Sequence, residues 1–582
     1  MSVGSGGMSA GGTGVAARPD GWFARVRARH GLGPVVLAWS AVAAIGILSV
    51  WPMIWLVVGS LTEADGYGFG RFRELLDKFH FADVLVNSWV FALGTALSAM
   101  VIGVTLAVLV TRTDMPFRRT AKMLAVLAFV SPPWLTAMAY VYLASPNAGY
   151  INEILHAVIG VKPFDVQTMT GMIFVSALFL FSFVFLTVEG ALTSLDGSFE
   201  EAARVSGASP WKVVTTVTLP LVTPAIVSAT VFSLIISWGL FAVPAILGMP
   251  SRVYVFATQL YLFLNAFPPR LELAAAMGVV FVITAVLLGA LVWAVRRQSQ
   301  VNRFAVIAGK GVKAAALPLG RWRWLAVAFV VALGLLAVVG PYSIILWMSL
   351  KTNWFGGGGL SDLSLENFRY IVFEYLAFWQ ITGNSFKVAL MEVAIVLSVA
   401  TAVGWVARRT KLPGRGLLMG GAYYTVLVPS VAFLAAVLWA WIGSPVGLYG
   451  TLLLIAMTQA ARSLPIATRN ISDGLGQIDA ALEEAATICG ASRTRTAFSV
   501  TLPLMRPVLL AAFTVVFLSA LRDLNTPLFV GGGATESLTL AVTIFHFWSE
   551  TRMGEAAALT IILLLITLVI FVPLSRSFRT VR

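Results

Sequence analysis

Long apolar stretches separated by short polar segments determine what this chain can fold into. Each stretch is long enough to cross roughly 30 Å of hydrocarbon, and a lone segment in lipid can pair its backbone groups only as a helix. We count twelve, the tenth being the weakest because "MTQAARSLP" dilutes it: 35–60, 89–111, 122–144, 168–189, 219–247, 273–295, 322–349, 384–408, 417–441, 448–467, 502–529 and 555–575. The 582-residue chain is 59% hydrophobic and 11% charged, too apolar for a soluble fold. The sequence therefore predicts an all-α integral membrane protein with about twelve transmembrane helices.

The positive charge is concentrated on one side of the predicted membrane. The formal net charge of +14 alone would fit a nucleic-acid-binding protein, but most of the 40 Lys and Arg residues lie in loops on the same side as the N-terminus. Cytoplasmic loops carry such an excess, so we expect both termini in the cytoplasm and no nucleic acid as a partner. The first apolar stretch is too long for a cleaved signal peptide, and we interpret it as a retained first span.

Residues that carry catalytic or metal-binding chemistry are sparse. The single cysteine, Cys489, excludes a disulfide framework and a paired-cysteine metal site, and the four His are scattered without ligand spacing. The candidate phosphate-binding loop at 309–311 lacks the leading Gly and the Ser or Thr after Lys that such a loop needs. We therefore predict that this chain is not an enzyme and binds no metal or cofactor itself.

A polar segment occurs twice. "EEAARVSGASPWKVVTTVTLP" at 200–220 returns as "EEAATICGASRTRTAFSVTLP" at 483–503, and "NSWVFAL" from Asn87 aligns with "NSFKVAL" from Asn384. Coincidence between two Ala-rich loops would not keep the flanking helices in register as well. The sequence therefore predicts two parallel six-helix repeats, divided as follows: a Gly-rich cytoplasmic tail 1–34, a first half 35–295, a cytoplasmic linker 296–321 and a second half 322–582.

Each copy of the segment has the pattern of two short helices meeting at a corner. Asp can cap the first helix, Gly can adopt the left-handed conformation that ends it, and Pro opens the next membrane span. These residues are Asp196, Gly207 and Pro220 in the first copy, and Asp479, Gly490 and Pro503 in the second. The first copy adds a capping box from Ser198 to Glu201 and a Ser209-Pro210 start for the second helix. We name residues 192–220 the first elbow and 475–503 the second elbow.

The elbows resemble the EAA loop of ABC importer permeases. The first copy reads Glu201-Ala202-Ala203-x3-Gly207-x9-Val217-x-Leu219-Pro220, the second repeats it from Glu484 to Pro503, and both depart only by Val where that family usually has Ile. The resemblance implies a type I ABC importer permease fold in a bacterial inner membrane. It also implies two copies of a cytoplasmic ATPase subunit that holds the ATP, one under each elbow, and a periplasmic substrate-binding protein.

The resemblance assigns roles in ATPase coupling to the elbow residues. The glutamates would contact the ATPase, the glycines set the corner and the prolines hold its angle to the membrane. The residues are Glu200, Glu201, Ala202, Ala203, Gly207 and Pro220 in the first elbow, and Glu483, Glu484, Ala485, Ala486, Gly490 and Pro503 in the second. For any single glutamate, the alternative is a favourable position in the first turn of a helix.

The sequence indicates the transporter family more specifically than it indicates the cargo. The segments 241–278 and 535–559 resemble the ferric-iron branch of fused two-half permeases, whose relatives carry thiamine, 2-aminoethylphosphonate or polyamines. Ala242 and Asn525 stand where that branch leads us to expect Glu. A secondary transporter driven by an ion gradient would share the spans and the duplication but has no use for paired elbows, and a membrane enzyme would need clustered catalytic groups.

Charged residues inside the predicted spans mark a candidate pathway, because burying charge in lipid is costly. Glu392, Arg522 and Asp523 are such residues, and their counterparts in the first half are uncharged. The alternative is an ion pair, for instance between Glu392 and Arg522, that only fixes helix packing. Trp238 and Phe241 are candidates for the gate, although aromatic residues in spans more often face lipid or other helices.

Overall fold

The computed structural model describes residues 32–299, 316–352 and 362–577. Most of the predicted tail 1–34, most of the linker 296–321 and the rejected phosphate loop at 309–311 lie outside these residues. Within them, nine helices are long and apolar enough to cross a membrane, or eleven if two sharply bent helix pairs each count as one span.

The first half contains nine principal helices among its described residues. They are α1 (Gly33–Leu61), α2 (Phe81–Arg112), α3 (Arg118–Val130), α4 (Pro133–Ala144), α5 (Met169–Ser194), α6 (Ser198–Val205), α7 (Pro210–Trp238), α8 (Phe256–Leu264) and α9 (Leu271–Ser299). Between α1 and α2 lie a hairpin of strands β1 (Thr62–Glu63) and β2 (Gly66–Tyr67) and a short helix, Gly70–Asp77. Further short helices span Tyr150–Ile159 and Pro244–Gly248.

The second half repeats the same order of principal helices. They are α10 (Gly320–Ser349), α11 (Phe378–Arg409), α12 (Arg415–Leu427), α13 (Ser430–Trp441), α14 (Leu452–Gln477), α15 (Ala480–Ile488), α16 (Ala497–Arg522), α17 (Leu540–Ser549) and α18 (Met553–Ser577). Short helical segments at Glu366–Arg369, Arg493–Thr496 and Asn525–Val530 connect them. The predicted all-α architecture of two repeated halves is therefore confirmed. Each of the twelve predicted stretches is mostly helical, although the helices of 219–247 and 502–529 are interrupted after Trp238 and Arg522.

The third stretch of each half is a broken helix instead of the single span that the sequence predicts. The axes of α3 and α4 meet at 100°, and those of α12 and α13 at 109°. The breaks fall at Pro132-Pro133 and at Pro429, where the missing N–H and the fixed φ of proline interrupt a helix. Both bends leave backbone groups inside the membrane region that other helices must satisfy.

The tenth predicted stretch, at 448–467, is the long helix α14, although it is too polar to be counted among the apolar spans. Its polar side chains face the protein interior, because Thr458, Gln459, Thr468 and Ser472 are all buried. The low hydropathy of α14 therefore reflects its contacts with other helices instead of with lipid.

Within each half, one helix is the centre of the packing. In the first half α2 packs against α5 and α7, and in the second half α11 packs against α14 and α16. A serine near the start of each central helix bonds to the backbone of a later helix, on the side of the membrane opposite the elbows. Ser88 Oγ accepts from Phe256 N at 2.8 Å, at the start of α8, and Ser385 Oγ accepts from Leu540 N at 2.9 Å, at the start of α17.

The first span of each half packs against the other half. Helix α1 contacts α9 and α13, while α10 contacts α4 and α18. Trp439 Nε1 donates to Leu271 O at 2.8 Å, and its ring packs on Gly59, where an ideal Cβ would lie 2.6 Å from ring carbons. Reciprocally, Tyr140 Oη donates to Leu336 O at 3.0 Å. The largest buried hydrophobic cluster therefore contains residues of both halves.

Helices α2 and α5 approach each other closely at Gly103, which gives a first prediction. An ideal Cβ at this position would lie 2.7 Å from Phe181 O and 2.8 Å from Val184 Cβ. We expect Gly103→Val to destabilise the chain by about 1–3 kcal/mol, because the added atoms overpack the contact. The measurement is the melting temperature of the purified chain in detergent.

The matched control is Gly190→Val on α5, since an added Cβ at Gly190 would have no neighbour within 4 Å. Equal melting temperatures for the two variants would contradict the packing argument.

Candidate functional site

The two elbows adopt the same backbone geometry. Gly207 and Gly490 both have φ of +84°, in the region that glycine tolerates without a Cβ penalty. After each glycine the chain bonds back to the preceding short helix, because Ala208 N donates to Ala203 O and Ala491 N donates to Ala486 O, both at 3.0 Å. The predicted glycine corners are confirmed.

The caps agree with the sequence in the second elbow and differ in the first. Asp479 is the N-cap of α15 and accepts from Ala481 N at 3.0 Å. Helix α6 instead begins at Ser198 without a side-chain cap, so the predicted capping box to Glu201 is wrong. Asp196 already accepts from Ser198 N at 3.0 Å, which orders the turn one residue before the helix.

The prolines lie inside continuous helices instead of opening the membrane spans. Helix α7 already begins at Pro210, and a π-helical turn at Val214–Thr218 precedes Pro220. The same turn occurs at Ala497–Thr501, before Pro503. A wider turn suits these places because proline has no N–H for a regular helical bond. The prolines therefore shape the helix where it leaves the elbow.

Glu200 fastens the first elbow to the membrane helices. Its Oε1 accepts from Arg112 Nε at 2.8 Å and from Thr218 Oγ1 at 2.8 Å. Arg112 ends α2 and also donates from Nη2 to Leu192 O at 2.8 Å. The side chains of Arg112 and Glu200 are only 6% and 2% exposed. This Arg–Glu–Thr tie joins α6 to the end of α2 and to α7.

Glu483 makes the equivalent tie in the second elbow. Its Oε1 accepts from Arg409 Nε at 3.1 Å and from Thr501 Oγ1 at 2.9 Å. Arg409 Nη2 also donates to Leu475 O at 3.2 Å and to Ile478 O at 2.9 Å. This second tie is more open to solvent, with 12% exposure for Arg409 and 20% for Glu483.

The ties correct the contact role that the sequence suggested for Glu200 and Glu483. In both residues the carboxylate oxygen Oε1 accepts from an arginine and a threonine of the same half, so these glutamates stabilise the elbow internally. Their neighbours Glu201 and Glu484 are exposed to solvent, as are Ala202 and Ala485. The contact role therefore remains a prediction for Glu201 and Glu484.

Each elbow also exposes two apolar side chains at matching positions. Phe199 and Leu482 are each 49% exposed, while Val205 and Ile488 are 90% and 87% exposed. The signal was present in the sequence as apolar residues kept at equal places in two polar segments. Together with Glu201 and Glu484 they form what we call the free face of each elbow.

The three charged residues singled out in the spans lie around one cavity. Its volume is about 440 Å³, and Glu392, Arg522 and Asp523 all contribute to its wall. The first half supplies the break between α3 and α4, and the second half supplies residues from α11, α14 and α16. We call this cavity the chamber.

The suggested ion pair between Glu392 and Arg522 is not formed. Glu392 Oε1 accepts from Ser463 Oγ at 2.6 Å. Asp523 Oδ2 is bound instead by Arg462 Nη1 at 3.4 Å and by Gln459 Nε2 at 3.4 Å. Gln459, Arg462 and Ser463 belong to α14. The sequence analysis did not identify them as site residues, although they are among the polar residues that lower the hydropathy of the tenth stretch.

Arg522 connects the two halves at the edge of the chamber. Its Nη1 donates to Val130 O at the end of α3, its Nε donates to Leu518 O at 2.9 Å, and its own carbonyl accepts from Trp134 Nε1 at 3.2 Å. The counterpart in the first half, Gly239, lies against the other break, where an ideal Cβ would be 3.1 Å from Ser430 N. The end of each elbow-linked helix thus touches the broken helix of the opposite half.

The two aromatic candidates have different surroundings. Trp238 is 3% exposed and packs against Trp89 and Phe256, with ring centroids 4.7 and 5.6 Å away, inside the first half. Phe241 is fully buried and lies 5.1 Å from the ring of Phe529 in the second half. Among the ring contacts of the described residues, that of Phe241 with Phe529 joins the halves, whereas those of Trp238 stay within the first half. No group of three or more His, Cys, Asp or Glu that could hold a metal ion occurs in the described part of the chain.

Comparison with known proteins identifies the family. The sequence model of the "Binding-protein-dependent transport system inner membrane component" family matches the chain twice, at residues 88–300 and 394–579. Together these matches cover more than half of the chain, and each contains one elbow. The chain therefore belongs to this family and is a multi-pass membrane permease with a duplicated permease unit.

Among curated relatives, the chain is similar to two ferric transport proteins. It is 23% identical over 539 residues to the ferric transport system permease protein FbpB of Actinobacillus pleuropneumoniae, covering 91% of this chain and 76% of that protein. It is also 23% identical to the putative ferric transport system permease protein FbpB 1 of Haemophilus influenzae, covering 83% of this chain and 75% of that protein. A crystal structure of a bacterial ABC transporter involved in alginate import aligns with 45% of this chain and 92% of that chain, at 21% identity and a TM-score of 0.40, too low to add to the argument.

The difference in burial between the two ties gives a second prediction. Glu200→Gln would leave the Arg112 guanidinium buried without a countercharge, and breaking a buried pair costs about 3–5 kcal/mol. We expect a smaller loss for Glu483→Gln, because that tie is more exposed. Thermal unfolding of the purified chain in detergent measures both losses.

The control is Glu201→Gln, which changes an exposed carboxylate next to Glu200 and should leave stability within about 0.5 kcal/mol. The role assigned to burial is wrong if Glu483→Gln destabilises the chain as much as Glu200→Gln.

Proposed function

We propose that this chain is the membrane-spanning subunit of an ATP-driven, binding-protein-dependent importer whose cargo is ferric iron. The observation that carries the proposal is the pair of elbows, each with a glycine corner, a free face and a tie to two membrane helices. The curated relatives named for ferric transport, which align with most of the chain, support the choice of cargo.

The elbows fit the role of docking sites for two copies of a cytoplasmic ATPase subunit. Their free faces combine exposed apolar side chains with one exposed carboxylate each, at Glu201 and Glu484. Apolar side chains surrounded by polar ones are typical of protein interfaces. In this arrangement both termini lie in the cytoplasm and ATP is bound and hydrolysed by the partner subunits, so this chain is not itself an enzyme.

The ties provide the mechanical link between docking and transport. A displacement of α6 is passed to α2 through Arg112 and to α7 through Thr218, because all three side chains are joined at Glu200. In the second half the same link reaches α16, whose far end, at Arg522, borders the chamber. Closure of an ATPase dimer would rock the halves against each other and give alternating access.

A periplasmic substrate-binding protein would deliver the cargo on the opposite side of the membrane. The loops proposed for its docking, 61–86, 145–167 and 247–272, contain the β1–β2 hairpin and the helix Tyr150–Ile159. Exposed aromatic residues there, Tyr67 at 78% and Phe69 at 75%, suit such a contact.

Uptake of iron by the reconstituted transporter tests the proposal. Vesicles would contain the chain with its ATPase, with the binding protein and labelled ferric iron added outside. We expect ATP-dependent accumulation, and at least a tenfold lower rate for the double variant Glu201→Ala/Glu484→Ala, because both docking faces lose their carboxylate.

Thiamine, 2-aminoethylphosphonate and polyamines are the comparison cargoes in the same vesicles. Uptake of one of these without iron would discard iron and keep the importer. Uptake driven by an ion gradient without ATP would instead indicate a secondary transporter.

The apolar part of each free face gives a separate prediction. Val205→Asp/Ile488→Asp places charge where we expect an apolar contact, so the ATPase should no longer co-purify with the chain. The wild type should retain two ATPase copies. Val158→Asp, on the helix Tyr150–Ile159 and 75% exposed before substitution, is the matched control and should retain the ATPase. Retention by the double variant would place the docking surface elsewhere.

A further inference from the structure

We infer that the chamber receives the positively charged part of the cargo, and that Glu392 is the residue that contacts it. The inference rests on the proposed import function and deepens it by naming a contact site and the charge it selects. Its basis is the hydrogen bonding of the chamber wall.

Glu392 is buried with half of its carboxylate unused. The side chain lies near the middle of α11 and is 1% exposed. Its Oε1 is bound by Ser463, but its Oε2 has no hydrogen-bond partner, and no Lys, Arg or His within 4.0 Å pairs with it among the described residues. Leaving a buried charged group unsatisfied is expensive. A cationic or hydrogen-donating group entering the chamber would remove that cost.

The rest of the chamber wall adds to this excess of acceptors. Gln459 Oε1 is also buried without a donor, because the amide nitrogen is the atom that faces Asp523. The two arginines of the wall already donate to other groups: Arg462 is paired with Asp523, and Arg522 donates to the carbonyls of Val130 and Leu518, with no acidic partner within 4.0 Å among the described residues. The unused polar atoms at Glu392 and Gln459 therefore accept hydrogen bonds, which favours a cation over an anion.

The unused hydrogen-bond acceptors of the chamber, at Glu392 and Gln459, both belong to the second half. The position equivalent to Glu392 in the first half is Thr95, and the position equivalent to Arg462 is Phe179. Phe179 itself lines the chamber, beside Phe129 and the prolines at the break between α3 and α4. The first half thus supplies a mainly apolar wall, in which Ser131 is polar, and the second half supplies the contacts with the cargo.

A single carboxylate suits transit better than a set of metal ligands. Conduction needs binding that is favourable on entry but weak enough to allow release. Because the break between α3 and α4 belongs to one half and Glu392 to the other, rocking of the halves changes the distance across the chamber. The contact can then be made in one state and lost in the next.

Glu392→Gln in the complete transporter tests the inference, since it keeps the shape of the side chain and removes its charge. In vesicles with the ATPase and binding protein, we expect the amount of ferric iron imported per ATP hydrolysed to fall at least tenfold. Thr95→Val is the matched control from the first half and should leave this ratio at the wild-type value. The ratio separates a lost cargo contact from misfolding or lost docking, which would also remove ATP hydrolysis.

Parallel assays with thiamine, an organic cation, and molybdate, an oxyanion, separate this inference from the iron proposal. If thiamine is taken up only when Glu392 is present, and iron is not taken up, then iron is excluded as the cargo and the chamber site is supported. Import of iron or of molybdate that is equally efficient in Glu392→Gln would overturn the chamber site, while the importer would stand.

A binding measurement completes the test without relying on uptake. Hexaamminecobalt(III), an inert trivalent cation, would be titrated into the full chain in lipid nanodiscs. We expect the wild type and Thr95→Val to bind one more cation than Glu392→Gln. Equal binding by all three would overturn the inference.

Discussion

An ion pair, completed by a threonine hydroxyl, holds each elbow to the membrane helices; it is buried in the first elbow and partly exposed in the second. Without Arg112 the Glu200 carboxylate would be an uncompensated charge in the protein interior, and without Glu200 the arginine would be. The arrangement makes α6, the end of α2 and the start of α7 one mechanical unit. That unit sets the position of the free face of the elbow and the direction of the membrane helix. It also sets the contact that the far end of this helix makes with the opposite half.

The second half shows how far this unit reaches. The tie at Glu483 includes Thr501, in the π-helical turn that leads directly into α16. That helix ends at Arg522, which contacts the break between α3 and α4 in the first half. A continuous helix therefore connects the second elbow with the chamber wall, so no separate relay is needed between them.

The sequence predicted the features that short patterns encode and missed those that depend on distant partners. Apolar length and the repeated segment predicted the spans and the two halves, and Gly207 and Gly490 predicted the corners because few other residues adopt that backbone. The inward direction of Glu200 could not be predicted, since its partner Arg112 lies far away in the chain. Glu392, Arg522 and Asp523 were conspicuous as charges in apolar stretches, whereas Gln459 and Arg462 only made α14 look like a poor span. Which charges pair is set by helix packing, and the suggested pairing of Glu392 with Arg522 was wrong for that reason.

The exchange of first spans between the halves has a consequence for how the protein is made. Helix α1 is synthesised before the other described helices, but the surface that receives it includes α13, which is synthesised several hundred residues later. During that interval the side of α1 that will pack on α13 must face lipid, and the length and hydropathy of α1 allow it to do so. Assembly of the first half is therefore completed only after α13 of the second half has been inserted, so a chain truncated at the linker would lack part of the packing of both of its ends.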